Sequence, residues 1–146
     1  MDTNNRFQDE NLLLSNFYNE VIVECGACTK KAVAILNQQN NTARMFCNNC
    51  GYNKEHSMLL NETTKLHMPA HTFFKAQLWL TMAFKNDFFY AYNYNHLNYL
   101  ERYISATLRE HKDRSHFTLL EKLPKFYHEG KNRSALLRII VKLKSK

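Results

Sequence analysis

Two Cys-x-x-Cys pairs, Cys25-Gly26-Ala27-Cys28 and Cys47-Asn48-Asn49-Cys50, constrain this chain more than any other feature in it. Eighteen residues separate the pairs, a spacing at which each can supply two thiolates to one tetrahedral metal site. The residues between them predict a hairpin. Ala32, Val33, Ala34, Ile35 and Leu36 form an apolar run, Gln38-Gln39-Asn40-Asn41 is polar and turn-prone, and 43–46 leads into the second pair. A third strand is expected over 56–60. Gly26 and Gly51, two of the three glycines, suit tight turns that aim backbone N–H groups at sulfur. The pattern is that of a four-cysteine zinc ribbon with one structural Zn²⁺ on Cys25, Cys28, Cys47 and Cys50. Four thiolates leave no open coordination position, so no metal-bound water is expected.

Disulfides and a redox dithiol are the competing uses of these cysteines. The first residues, Met1-Asp2-Thr3-Asn4-Asn5, are polar and carry no basic residue ahead of an apolar core, unlike a signal peptide. A cytoplasmic location is therefore expected, and a reducing compartment disfavours disulfides. A thioredoxin-like site needs one Cys-x-x-Cys opening a helix, whereas here two pairs each adjoin a strand.

Charge divides the 146 residues unevenly. Residues 1–62 hold five Lys/Arg against seven Asp/Glu, a balance of −2, and residues 63–146 hold fifteen against six, a balance of +9. The expected organisation is a zinc ribbon with an N-terminal leader over 1–62, a linker over 63–76 around Pro69, and a basic body over 77–146. Leu12, Leu13, Leu14, Phe17 and Tyr18 fit either a short helix capping the ribbon or an anchor behind a leader. No apolar run approaches the ~20 residues of a membrane span.

From Gln77 the pattern changes. Leu78, Leu80 and Met82 alternate with their neighbours, Lys85-Asn86-Asp87 supplies a turn, and 88–92 is an aromatic, strand-prone run. Asn93 can then cap a helix reaching about Glu110, with Leu97, Leu100, Ile104 and Leu108 on one face and Tyr99 and Tyr103 beside them. Thr118-Leu119-Leu120-Glu121 has the form of a capping box, and Pro124 forces a fresh start after it. Gly130 ends that piece. Asn132 is expected to cap a last helix with Leu136, Ile139, Ile140 and Leu143 inward. The expected fold class is α+β: an N-terminal four-cysteine zinc ribbon followed by a β-hairpin packed under C-terminal helices.

Several stretches resemble a family. Leu78-Trp79-Leu80, Tyr90-Ala91-Tyr92-Asn93, His96-Leu97, Leu100-Glu101-x-Tyr103 and Leu108-Arg109-Glu110, followed by Leu123-Pro124-Lys125-Phe126 and Lys131-Asn132-Arg133, are similar to small bacterial TFIIB-type zinc-ribbon-containing proteins. The resemblance covers most of the second half and, more loosely, the paired cysteines. It implies no settled activity. Relatives vary over 82–87 and can hold further cysteines, which this chain lacks.

Function is expected in binding rather than catalysis. The seven histidines are scattered: His67 and His71 are four apart, but Pro69 between them breaks a helical ligand face. No Gly-rich phosphate loop or nucleophile elbow is present, and no residue set proposes a reaction. Residues 112–146 hold ten Lys/Arg and three Asp/Glu. Lys125, Lys131, Arg133, Arg138, Lys142 and Lys144 are candidates for a ridge against DNA or RNA phosphates. Phe88, Phe89, Tyr90, Tyr92 and Tyr94 could stack on bases, though a hairpin under a helix buries half its side chains. The leading expectation is nucleic-acid association through this basic face. The alternative is an adaptor, or an accessory subunit, that docks a protein partner or a second copy of itself.

Overall fold

The structure, a computed structural model, describes residues 6–106, 108–110 and 119–146. In chain order it contains β1 (Arg6–Gln8), β2 (Glu20–Glu24), β3 (Lys31–Asn37), β4 (Thr42–Phe46), β5 (Asn53–Ser57), β6 (Leu80–Phe84), β7 (Asp87–Ala91), α1 (Tyr94–Ser105), β8 (Leu108–Glu110) and α2 (Arg133–Lys144). Short 3₁₀ turns lie at Leu14–Phe17, Ala70–Phe74, Leu120–Lys122, Lys125–Tyr127 and Gly130–Asn132. The fold is mixed α and β. Two compact units form: one from Ser15–Thr81 with Tyr90–Asn93, the other from Met1–Leu14, Met82–Phe89 and Tyr94–Lys146. The β6–β7 hairpin contributes residues to both.

The first unit is built on a four-stranded antiparallel sheet in the order β2-β3-β4-β5. Alternation sends one set of side chains to a single face. Val21 stands opposite Ala34 and Ala34 opposite Met45, while Leu36 stands opposite Ala43, and all five are buried. The turn between β3 and β4 forms because the Asn37 Oδ1 accepts hydrogen bonds from the N–H groups of Gln39 and Asn40, at 3.0 and 3.3 Å, and Asn41 takes the left-handed conformation at φ 55°.

Three readings of the sequence change here. Strand β2 precedes the first cysteine pair and was not expected, because Val21-Ile22-Val23 is too short a run to stand out beside the polar stretch before it. The third ribbon strand begins at Asn53 rather than at 56. Its residues are all exposed, so an edge strand of this kind shows no apolar alternation, and its Lys54 and Glu55 guard the open edge. The apolar trio that suggested 56–60 splits: Met58 is buried, whereas Leu59 and Leu60 are exposed. The segment 63–76, expected as a linker, belongs to the sheet unit. Its Ala70 and Phe73 are buried, the Ala70–Phe74 turn packs on β2, β3 and β4, and the Ala70 N–H donates to the Tyr18 carbonyl at 3.0 Å.

The outer edge of β2 is covered. The Ile22 N–H donates to the Tyr92 carbonyl at 2.7 Å, and the Glu24 and Trp79 N–H groups pair with Gln77 and Ile22 carbonyls at 2.9 and 3.0 Å. The Asn93 amide nitrogen donates to the Glu20 carbonyl at 2.7 Å and to that of Phe17 at 3.4 Å.

The second unit packs α1 against α2. The expected hairpin is present as β6 and β7, and the stripe Leu97, Leu100 and Ile104, widened by Tyr99 and Tyr103, is buried. The helix stops at Ser105, short of the expected Glu110. Residues Leu108–Glu110 turn to strand β8 and pair in parallel with β1, Phe7 opposite Arg109. The N-terminal segment thus acts as an anchor: Phe7 sits edge-on to Tyr99 and Tyr103, with ring centroids 5.5 and 5.4 Å away. The buried Asp9 accepts hydrogen bonds from the Asn11 N–H at 2.7 Å and the Tyr99 hydroxyl at 3.2 Å. The charged connection 111–115 and Thr118 of the expected capping box lie outside the described residues. Pro124 does begin a new turn, Lys125–Tyr127, whose Phe126 stacks on Phe84 at 5.1 Å and Tyr127 on Phe89 at 5.3 Å. Gly130 opens a further turn, Gly130–Asn132, rather than ending the segment.

Leu136, Ile139, Ile140 and Leu143 of α2 are buried as expected. Asn132 holds the position before the helix but makes no side-chain cap. Its Oδ1 accepts from the Lys85 ammonium at 3.1 Å, and its amide nitrogen donates to the Phe126 carbonyl at 3.2 Å. Holding the Lys85 turn and the 125–127 turn together consumes the groups that a cap would need.

Candidate metal centre

The register of the sheet makes the site. Knuckle 25–30 joins β2 to β3, and knuckle 47–52 joins β4 to β5. Both connections therefore lie at the same end of the sheet, on strands that are neighbours through β3 and β4. The two knuckles repeat one hydrogen-bond scheme. The Cys25 N–H donates to the Lys30 carbonyl at 2.7 Å and the Thr29 N–H to the Cys25 carbonyl at 2.9 Å; Cys47 with Tyr52, and Gly51 with Cys47, do the same at 2.9 Å each. The turn needs a left-handed residue at its fifth position. Gly51 fills it at φ 79°, and Thr29 fills it at φ 64°. The sequence pointed to Gly26 instead; Gly26 is not left-handed, and the strain falls on a threonine.

All four sulfurs lie within 4.8 Å of one another. Cys25 Sγ is 3.7 Å from Cys50 Sγ, and Cys28 Sγ is 3.6 Å from Cys47 Sγ. A disulfide would bring sulfurs to about 2.05 Å, and the four cysteines are free. A metal with sulfur bonds of about 2.3 Å in a tetrahedron sets its sulfurs roughly 3.8 Å apart, which these separations match. The four cysteines can hold a metal ion, and among the described residues no other group of three or more His, Cys, Asp or Glu is so placed.

The electrostatics of the sulfurs are unequal. The Asn49 amide, hydrogen-bonded to Cys28 Sγ at 3.4 Å, and then the Lys30 backbone hold the Cys28 thiol down to about 6. Cys50 receives a lowering hydrogen bond from the Tyr52 backbone, yet desolvation and its three sulfur neighbours push it up to about 12. Four thiolates at this separation repel one another unless a cation sits among them. Cys25 and Cys47 are buried at 1 and 3% exposure, while Cys28 is half-buried and Cys50 exposed. Asn49 was not singled out in the sequence; its place inside the second pair, opposite Ala27 in the first, is the signal that marks it.

Of the six cations Lys125, Lys131, Arg133, Arg138, Lys142 and Lys144, three are held by neighbouring groups. Arg133 donates from Nε to the Ile104 carbonyl at 3.0 Å and from its terminal nitrogen to that of Ala106 at 3.3 Å. It closes the C-terminus of α1. Lys144 pairs with Glu101 at 2.5 Å and Lys131 with Glu129 at 3.0 Å. The Lys131 hydrogen bond holds the Glu129 carboxyl below its usual range, with Lys125 and Lys85 adding to the same field. Arg138 and Lys142 are exposed, four apart on α2. They flank Leu137 and Val141, the latter 64% exposed. Sequence reasoning missed these two apolar residues, although they fall off the buried stripe of α2 and a helical projection finds them. Of the aromatic group, Phe89 and Tyr92 are buried and Phe88 is exposed.

His96 is buried, and burial lowers its pKa to about 4, so it is a neutral packed side chain at neutral pH. A half-open cavity of about 380 Å³ in the sheet unit is bordered by Ser15, Tyr18, Asn19, Gln38 and His67. No helix among the described residues is long and apolar enough to cross a membrane. The fold is of α+β class, and its four-stranded sheet brings together four cysteines that can hold a metal ion. Compared with family models, curated proteins and solved structures, the chain matches none.

Proposed function

We propose that this is a non-enzymatic zinc-ribbon protein of the TFIIB type, braced by one structural Zn²⁺, that works in the cytoplasm as an adaptor docking a protein partner. Zinc is the metal that four thiolates in closed tetrahedral array suit best, and such a site gives folding energy rather than a reactive water. The observation that carries the docking reading is Val141. It is 64% exposed and lines, with Leu137, Arg138 and Lys142, one open depression on the outer face of α2, where a docked partner would take the aliphatic pair out of water. Affinity capture with the wild-type chain and with Val141→Asp tests it. A partner held by the wild type and released by the variant supports the reading; identical captures from both count against it.

Nucleic-acid association is the second reading, favoured by Arg138 and Lys142, which point outward from a unit rich in positive charge. Titration with labelled single- and double-stranded DNA and RNA at two salt concentrations checks it. Binding that weakens steeply with salt and is lost in the Arg138→Glu, Lys142→Glu double variant favours it. Absence of binding at low salt removes it.

A further inference from the structure

The outer face of α2 carries a shallow, open depression of about 350 Å³ lined by Leu137, Arg138, Val141 and Lys142. Successive helical residues turn by about 100°. Leu137 and Val141 therefore share one stripe with Arg138 and Lys142 bordering it on one side; on the other side Arg133 and Lys144 are already engaged by the Ile104 and Ala106 carbonyls and by Glu101. The stripe is separate from the face that holds the helix in place, since Leu136, Ile139, Ile140 and Leu143 are buried. No acidic residue occurs anywhere in 133–146, so α2 offers its outer cations no partner of its own.

From this arrangement we infer that α2 is the docking face for an acidic amphipathic helix of a partner protein, and this rests on the adaptor reading above. Leu137 and Val141, one turn apart, form the apolar lining of that depression, on which the apolar side chains of a second helix at the same spacing can pack. Carboxylates flanking that partner's apolar positions meet Arg138 and Lys142. The charge pattern selects this occupant. A second copy docking through its own α2 would bring like charges together across the contact. A phosphate backbone would satisfy the cations but desolvate itself against Leu137 and Val141. A bilayer surface would find only two aliphatic side chains, because the broad apolar face of α2 is turned inward. Electrostatic complementarity sets the partner's sign and register, and the aliphatic pair supplies the water-excluding centre.

The test uses the full metal-loaded chain, isotopically labelled for amide NMR. The probe is a synthetic helical peptide with Leu at i, i+3 and i+4 flanked by Glu. Its Gln-for-Glu counterpart, single-stranded DNA, and vesicles of mixed phosphatidylglycerol and phosphatidylcholine are run in parallel. The Glu peptide is expected to shift amides along the outer face of α2. Affinity should fall about tenfold or more for Val141→Asp, for Arg138→Glu with Lys142→Glu, and for the Gln peptide. A Lys-flanked peptide should recover binding to the charge-reversed double variant, a rescue that damage to the fold cannot produce. The proposal is overturned if millimolar Glu peptide leaves α2 unmoved, if Glu and Gln peptides bind alike, or if DNA or vesicles move α2 while the peptide does not. In each of those cases a partner captured in a Val141-dependent way still stands for the adaptor reading, so the two failures are separable.

Discussion

The sheet unit and the helical unit solve the same problem by different means. On its buried face the sheet presents Ala32, Ala34 and Ala43 among a few larger side chains. Alanines let Ala70–Phe74 approach the strands closely but bury little apolar area, and burial stabilises in rough proportion to area. The helical unit instead buries Leu97, Leu100, Ile104, Leu120, Leu136, Ile140 and Leu143 with Tyr99 and Tyr127 almost completely. One unit gathers four sulfurs at one end of its sheet, where they can hold a metal ion; the other is held by a packed interior. The difference teaches where each is vulnerable.

The largest expected effect follows from removing that point constraint. Chelation, or Cys47→Ser, should unfold the sheet unit, since structural zinc contributes about 10–16 kcal/mol in small metal-folded domains. Amide exchange should then lose protection over β2 to β5 while α1 and α2 keep theirs. Uniform loss in both units, or in neither, would break the comparison. Next in size, Leu100→Ala or Ile140→Ala should cost the helical unit about 2–5 kcal/mol, read by thermal unfolding, with metal content unchanged.

His96 sharpens the comparison through pH. Its pKa in the folded chain is lowered to about 4, from a usual value of 6.5, by burial in the helical unit. Above pH 6.5 the group is neutral in both states and the full stability is present. As pH falls from 6.5 toward 4 the unfolded chain takes up a proton that the folded chain refuses, and stability is lost at up to about 1.4 kcal/mol per pH unit. Denaturant titrations at pH 7.5 and 5 should show this acid loss in the wild type and a smaller one in His96→Gln. An equal loss in the variant would assign it elsewhere. The smallest effects belong to the knuckles. Gly51→Ala should cost about 1 kcal/mol from backbone strain alone, because an added Cβ meets nothing within 4 Å. Thr29→Gly should relieve strain at the equivalent position, with a small rise in melting temperature of the metal-loaded chain.

The sulfur cluster was legible in the sequence because cysteine spacing is a covalent property of the chain: Cys25, Cys28, Cys47 and Cys50 meet as their spacing suggests. The β3–β4 and β6–β7 hairpins and the buried stripe of α2 were legible for a similar reason, each being a local pattern of period and turn. What escaped depends on distant partners. Strand β5 is polar because it lies at an edge, and its pairing with β4 is dictated by the knuckle before it. Leu108–Glu110 reads as helix until β1 arrives to pair with it. Asn132 reads as a cap until Lys85 and Phe126 claim its side chain. Arg133, read as a surface cation, closes the end of α1 through Ile104 and Ala106. In each case a tertiary contact overrides a preference that the local sequence states correctly.

The most direct test of the account is the metal content and thiol state of the purified, reduced chain. Native mass spectrometry should find one zinc per chain, X-ray absorption should find four sulfur neighbours at about 2.3 Å, and the thiols should become alkylatable only after chelation. A metal-free chain whose four cysteines are oxidised in pairs, or whose sheet unit is equally protected without metal, would contradict it.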